Sequence, residues 1–230
     1  MNKFLRFISF FFLLLSISFN SLSDNQLDNF NSKFAKYKSD PKVRSAKAMV
    51  VNQNNGKVIY QKNAYSEASI ASLTKLMTAM VILDSKIDLK KKIKITKHDI
   101  DRLKGTGSRI PIGTLVTGYD LLKISLMSSD NRAASALSRA YPSGKKGFIK
   151  AMNIKALKLG MHNSKFADPT GLNKRNKSTA RDLVRMVEAA YQYPEIRKIT
   201  TTSQETFRIG KRKNEIGFVN TNRLVRKGTW

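Results

Sequence analysis

The sequence contains no cysteine. That excludes a disulfide scaffold, a thiol nucleophile and cysteine-ligated zinc, and leaves stability to the packed core alone. Histidine is nearly absent as well: there are only His98 and His162. Neither lies in a His-Glu-x-x-His metal motif or a Ser-His-Asp arrangement, so both are expected at the surface or in loops. No residue pattern calls for a metal or another cofactor.

Acidic residues are few, 16 against 43 Lys and Arg, which gives a formal net charge of +27. A charge this basic raises nucleic acid as a partner. Its distribution argues against one, because the cations are scattered, with no long basic block and no basic stripe interleaved with aromatics. Attraction to an anionic cell wall or membrane surface is the better functional reading. A solvated surface in a Lys- and Asn-rich chain is the plain one.

Long apolar runs are limited to one. Lys3 and Arg6 precede Phe7 to Phe19, broken only by Ser9, Ser16 and Ser18, and Ser21-Leu22-Ser23 follows with small residues where a signal peptidase reads. Residues 1–23 therefore read as a secretory signal cleaved after Ser23, since the apolar run is short for a membrane span, which needs about 20 residues. Residues 24–44 are polar and charged and read as a flexible leader. Residues 45–230 read as the domain proper, and the 41% hydrophobic content of the chain is enough for a real core.

Within that domain, Ala46 to Val51 and Lys57 to Tyr60 read as strands joined at Asn55-Gly56, a pair that favours tight hairpins. A helix is expected over Ser72 to Ile87 and a short edge strand around Ile93 and Ile95. Thr117 can cap a helix to about Met127, and Ser128 to Asn131 interrupts it before a helix over Arg132 to Tyr141. Another follows from Gly147 to Leu159, stopped by Gly160. Asp168-Pro169-Thr170-Gly171 reads as a turn. Thr179 and Asp182 form a capping-box pair for a helix to Tyr191. Two strands, Ser203 to Ile209 and Ile216 to Asn220, close the pattern. Strands at both ends with helices between suggest one sheet drawn from both ends and a helical insert.

The chemistry concentrates in Ile70-Ala71-Ser72-Leu73-Thr74-Lys75. Ser and Lys three apart on a helix share a face. A lysine that is partly desolvated can be neutral enough to take a serine proton. Ser39 with Lys42 and Ser143 with Lys146 repeat the spacing, but the first is broken by Pro41 and the second lies in a Gly-containing loop. Ser129-Asp130-Asn131 sits in a break between helices, where Ser129 can relay a proton to a leaving group and Asn131 can hold a substrate amide. The same tripeptide at Ser23-Asp24-Asn25 falls at the signal cleavage point and carries no meaning. Asp168 and Gly171 are expected to serve turn geometry, and Glu188 to face solvent.

On these residues the chain resembles the low-molecular-mass penicillin-binding proteins, serine D-alanyl-D-alanine carboxypeptidases and endopeptidases. The resemblance runs from about Ala46 to Trp230. It covers Ala71 to Met80, Gly105-Thr106-Gly107-Ser108-Arg109, Leu126 to Ala134, Asp168 to Leu172 and Asn220-Thr221-Asn222. The Gly105 loop and the Met-Ser-Ser-Asp-Asn-Arg run are similar to the endopeptidase branch, which cuts cross-links in peptidoglycan. The resemblance implies an α/β fold of the β-lactamase and penicillin-binding transpeptidase type, an antiparallel sheet flanked by helices with a helical subdomain. It implies Ser72 as acylated nucleophile, Lys75 as its base, Ser129 and Asn131 as the second-motif pair, and the Ser72 backbone N–H as an oxyanion donor. Peptidoglycan peptides would be the substrates, β-lactams the inhibitors, and no cofactor would be needed.

The family's third motif, Lys-Thr-Gly, has no counterpart; Lys227-Gly228-Thr229 has the wrong order and reads as loop. The last strands of the fold are thus expected to be missing and the site incomplete. Two alternatives follow: a catalytically impaired penicillin- or cell-wall-binding remnant, and a β-lactamase. The second is disfavoured because between Asn131 and Ala180 the only carboxylate is Asp168 and there is no Glu.

Overall fold

The computed structural model describes residues 42–85, 87–210 and 214–228. The signal, nearly all of the leader and the Ser39 repeat lie outside the described residues. From Ser45 onward the chain clusters as one compact unit. Among the described residues no helix is long and apolar enough to cross a membrane.

The organising element is helix α1 (Thr74–Asp84). Met77, Ala79, Met80, Val81 and Ile82 are all buried along it. A helix that is apolar nearly all round must be wrapped on every side. Here α2 (Gly118–Met127), α3 (Asn131–Arg139), α4 (Gly144–Lys158) and α5 (Ala180–Tyr191) all pack against it. Phe148, Phe166, Leu121, Leu122, Ile124 and Leu137 fill the spaces between. Each such side chain contributes about 1.5–3 kcal/mol on burial, and in a cysteine-free chain this cluster is the main source of stability.

The helix is shorter than the expected Ser72–Ile87. Ala71–Leu73 forms a 3₁₀ turn and α1 ends at Asp84, where the Ser85 hydroxyl turns back to the Ile82 carbonyl at 2.6 Å. Other helix ends follow their caps. The Thr117 side chain accepts from the Asp120 N–H at 3.1 Å, and Asp130 accepts from the Ala133 N–H at 2.9 Å. Only half of the expected capping box opens α5: Thr179 accepts from the Asp182 N–H, while the Asp182 carboxylate takes the Asn163 N–H, the Ser164 hydroxyl and Arg185. A complete box instead joins Thr96 and Asp99, whose buried carboxylate also pairs with Arg139 at 2.9 Å.

All strand pairing among the described residues is antiparallel. Strand β1 (Ala48–Val51) pairs with β2 (Val58–Lys62) across a loop wider than the two-residue turn expected. Gly56 alone takes positive φ, +70°, and the Asn55 side chain accepts from the Lys57 N–H. Two-residue β3 (Ala68–Ser69) pairs with β6 (Lys177–Ser178), and β4 (Lys92–Lys94) with β5 (Leu115–Thr117). After short helix α6 (Pro194–Thr200), β7 (Gln204–Ile209) pairs with β8 (Asn214–Val219), and α7 (Arg223–Lys227) follows. The single sheet expected from both chain ends is not formed among the described residues: β1–β2 and β7–β8 share no ladder. The first hairpin rests on α5 and the second on α2, so each covers a different helix of the core.

Candidate active site

Three segments meet at the N-terminus of α1. The first is the 3₁₀ turn carrying Ser72, entered through Ala71 at φ +45°. The second is the Ser128–Asn131 break, where Ser129 sits at φ +57°. The third is the 168–176 loop. Left-handed backbone at a non-glycine residue costs free energy and persists where surrounding contacts over-determine it. Asn63 is the one other such residue among those described, so two of the three lie here.

The 168–176 loop is fastened by Asn176, which is fully buried. Its Oδ1 accepts from the Ala167 and Asp168 N–H groups at 2.7 and 3.0 Å. Its Nδ2 donates to Thr74 Oγ1, Asp168 O and Asp168 Oδ1. The Asp168 carboxylate accepts from the Gly171 N–H and from Thr170 Oγ1, which is the turn role expected of it. The β3–β6 ladder and the Ile70 N–H to Asn176 carbonyl bond at 3.1 Å lock this loop to the chain entering Ser72. The second hairpin fixes the Ser128 break: Ser128 Oγ donates to Val219 O at 2.8 Å and the Thr221 N–H to Met127 O at 3.0 Å.

At the junction lies Lys75, 3% exposed. Its Nζ donates to Asn131 Oδ1 at 2.7 Å, to Thr170 O at 2.8 Å and to Ser72 Oγ at 3.3 Å. Burial pulls the amine down from 10.5 to about 8, against the opposing pull of Asp130 and Asp168. The two carbonyl oxygens can only accept, so they hold two of the three N–H bonds. The Ser72 hydroxyl can both accept and donate. When the amine loses a proton, its lone pair must therefore face Ser72, whose hydroxyl can then donate to it. The arrangement suits removal of the serine proton by lysine. Ser72 itself is exposed, as a group that meets a large substrate has to be. Its N–H lies in the first turn, where amides lack intrahelical acceptors.

Lys75 thus touches both Ser72 and Asn131. Ser129 does not join them: among the described residues its hydroxyl has no hydrogen bond to Lys75 or Ser72. Both ends of the Asn131 amide are engaged, since Nδ2 donates to Thr106 Oγ1 at 2.9 Å. The second Nδ2 hydrogen has no protein acceptor among the described residues. Thr106, Asn176, Gly171 and the Thr170 carbonyl were not singled out for the site by sequence. Thr106 stands in the Gly105 loop that carries the resemblance but has no role assigned there, Asn176 carries no local signal, and the last two read only as a turn. His98, His162 and Glu188 are exposed, as expected. No group of residues that could hold a metal occurs among those described.

A groove of about 550 Å³ runs from His98 and Arg102 past Asn131 to Thr170 and Leu172, against two of Lys75's partners. A second, of about 510 Å³, lies between β1 and α5, is mostly apolar, and shares no residue with the site.

Comparison with known proteins places the chain in a family. Residues 34–230 match the D-alanyl-D-alanine carboxypeptidase family profile. The chain is 45% identical over 188 residues to a D-alanyl-D-alanine endopeptidase of Pseudomonas aeruginosa and 43% identical over 192 residues to one of Escherichia coli. These alignments cover 82% and 84% of this chain but 61% and 62% of the relatives, so the chain spans about three fifths of their length. Among solved structures, a Streptomyces DD-transpeptidase superposes with a TM-score of 0.76 at 30% identity, over 82% of this chain and 78% of that one. The α/β penicillin-binding fold is therefore the fold of this chain.

Proposed function

Because the chain belongs to the D-alanyl-D-alanine carboxypeptidase family of serine peptidases, we propose that it cleaves D-alanyl peptide bonds of peptidoglycan through an acyl-enzyme on Ser72. The carrying observation is Lys75, buried, with its amine lowered to about 8 and its third hydrogen-bonding direction spent on Ser72 Oγ. The Ser72 proton passes to Lys75 Nζ as Oγ bonds to the substrate carbonyl carbon. The Ser72 N–H donates to the developing oxyanion. The carbon–nitrogen bond then breaks as the proton held on Lys75 Nζ returns to the leaving amine, with Ser129, which has no bond to Lys75 in the free chain, assigned to relay it once substrate fills the site. Water hydrolyses the Ser72 ester and restores the hydroxyl. Asn131 orients Lys75 through Oδ1 and presents its second Nδ2 hydrogen to a substrate carbonyl.

An endopeptidase specificity, cutting cross-links, is supported by the relatives of that name at 43–45% identity, against 32% for a carboxypeptidase of Bacillus subtilis. β-Lactams would acylate the same serine. Against a β-lactamase reading, Asp168 is buried and its oxygens are spent on Thr170, Gly171 and Asn176. Residues 1–23 would direct export to the periplasm, with the scattered cations facing anionic envelope surfaces.

The test is labelling with a fluorescent penicillin and peptide mapping. The label should map to Ser72, vanish in Ser72→Ala, and persist in Ser39→Ala and Ser143→Ala. Label that survives Ser72→Ala would remove the assignment.

A further inference from the structure

The loop between Asp101 and Thr106 has no part in the chemistry above, yet it ends on a residue of the site. Four hydrogen bonds converge on the Asp101 carboxylate from within its own loop. Oδ1 accepts from the Leu103 and Lys104 N–H groups at 2.8 and 3.0 Å, and Oδ2 from the Thr106 N–H at 3.0 Å and the Thr106 hydroxyl at 2.6 Å. Partial burial pushes this carboxyl up, but the Thr106 hydroxyl and the three amides outweigh it and hold it at about 2. Asp101 is therefore an acceptor throughout the neutral range.

That fixes the direction of the Thr106 hydroxyl. Its one hydrogen goes to Asp101, so toward Asn131 it can offer only a lone pair. A lone pair selects the NH₂ end of the Asn131 amide, and Nδ2 duly donates to it at 2.9 Å. With Nδ2 held there, Oδ1 must face the other way, where Lys75 Nζ meets it at 2.7 Å. An asparagine amide flipped by 180° would set NH₂ against the lysine ammonium, donor against donor. We propose that Thr106, oriented by the Asp101 carboxylate, is a positioning residue that, with Lys75 on the opposite side, holds the Asn131 amide in a single orientation. It thereby presents Oδ1 to Lys75 and the second Nδ2 hydrogen to the substrate.

This deepens the proposed function and rests on it for the kinetic arm of the test, while a second arm needs no turnover. Thr106→Val keeps the shape and removes the hydroxyl; Thr106 is exposed, so the fold tolerates the change. In the whole chain, the Asn131 side-chain amide is followed by ¹⁵N NMR, and acylation of Ser72 by a fluorescent penicillin is timed. Thr106→Val should shift the Asn131 amide resonances and speed their hydrogen exchange. It should also slow acylation about tenfold, the worth of one neutral hydrogen bond. Thr106→Ser, which keeps the hydroxyl and loses only the methyl, should leave both as in the wild type. Asp101→Asn should slow acylation in the same direction. Asn131 resonances and exchange that are unmoved by Thr106→Val overturn the proposal, as does an acylation rate equal to the wild type in either Thr106→Val or Asp101→Asn. If the unsubstituted chain is not acylated at Ser72, the functional reading fails separately, and the amide arm still decides what Thr106 does to Asn131.

Discussion

Gly171 lies so close to the residue before the nucleophile that a β-carbon on it would come 1.8 Å from the Ala71 carbonyl oxygen. Its own φ is +87°, a region that L side chains rarely adopt. Ala71 is itself left-handed at φ +45°. The strained alanine and the unstrained glycine form one contact, in which the glycine lets the 168–176 loop press against the peptide that aims Ser72.

Gly171→Ala should therefore be among the most damaging single-atom additions in the chain. Backbone strain and a clash with main-chain atoms act together, and neither can be relieved by a rotamer change. The expected loss is roughly 3 kcal/mol or more, a fall in melting temperature of about 10 °C for a domain of this size, with Ser72 acylation lost. Thermal melts and penicillin labelling check it. A variant that melts like the wild type would show that the two backbones do not touch.

Lys75 predicts two pH effects. Its amine is lowered from 10.5 to about 8, so the free-base fraction grows through that value. Acylation of Ser72 should rise roughly fiftyfold from pH 6 to pH 8 and level above it; a rate flat over that range would exclude Lys75 as the base. On stability, the unfolded chain binds more protons at this site than the folded one between about 8 and 10.5, so stability rises with pH across that window. Wild type should gain about 2–3 kcal/mol on Lys75→Met between pH 7 and pH 10. Paired denaturant melts at the two pH values measure the difference, and the common titrations of the other lysines cancel.

Asn176 should matter more than its place in a surface-like sequence suggests. Asn176→Ala would leave the Ala167 and Asp168 amides and the Thr74 hydroxyl without their partner in a buried position. A loss of about 3–4 kcal/mol is expected. Asn176→Asp should not rescue it: the acceptor is kept, but the donors are lost and a second carboxylate is set against Asp168 Oδ1, now 2.8 Å from Nδ2. Full stability in Asn176→Asp would mean that the donors carry no weight.

Part of this molecule is written in local spacing and local backbone preference. Ser72 and Lys75 share a face because they are one helical turn apart. Thr117 and Thr179 cap because their hydroxyls reach amides three residues on. The Ser128–Asn131 break, the Asp168–Gly171 turn and the exposed histidines follow from residue type. Tertiary structure decided the rest. Lys75 becomes a base near neutrality only because distant helices and loops bury it, and its partners Asn131 and Thr170 lie 56 and 95 residues away along the chain. The Asp182 carboxylate abandons its expected capping bond because Asn163 and Ser164, folded against it, offer it two donors. Among the described residues the two hairpins share no ladder, and each packs on a different helix. Desolvation, and the choice of partner it forces on a buried polar group, depend on what the rest of the chain brings near, and no window of a few residues contains that information.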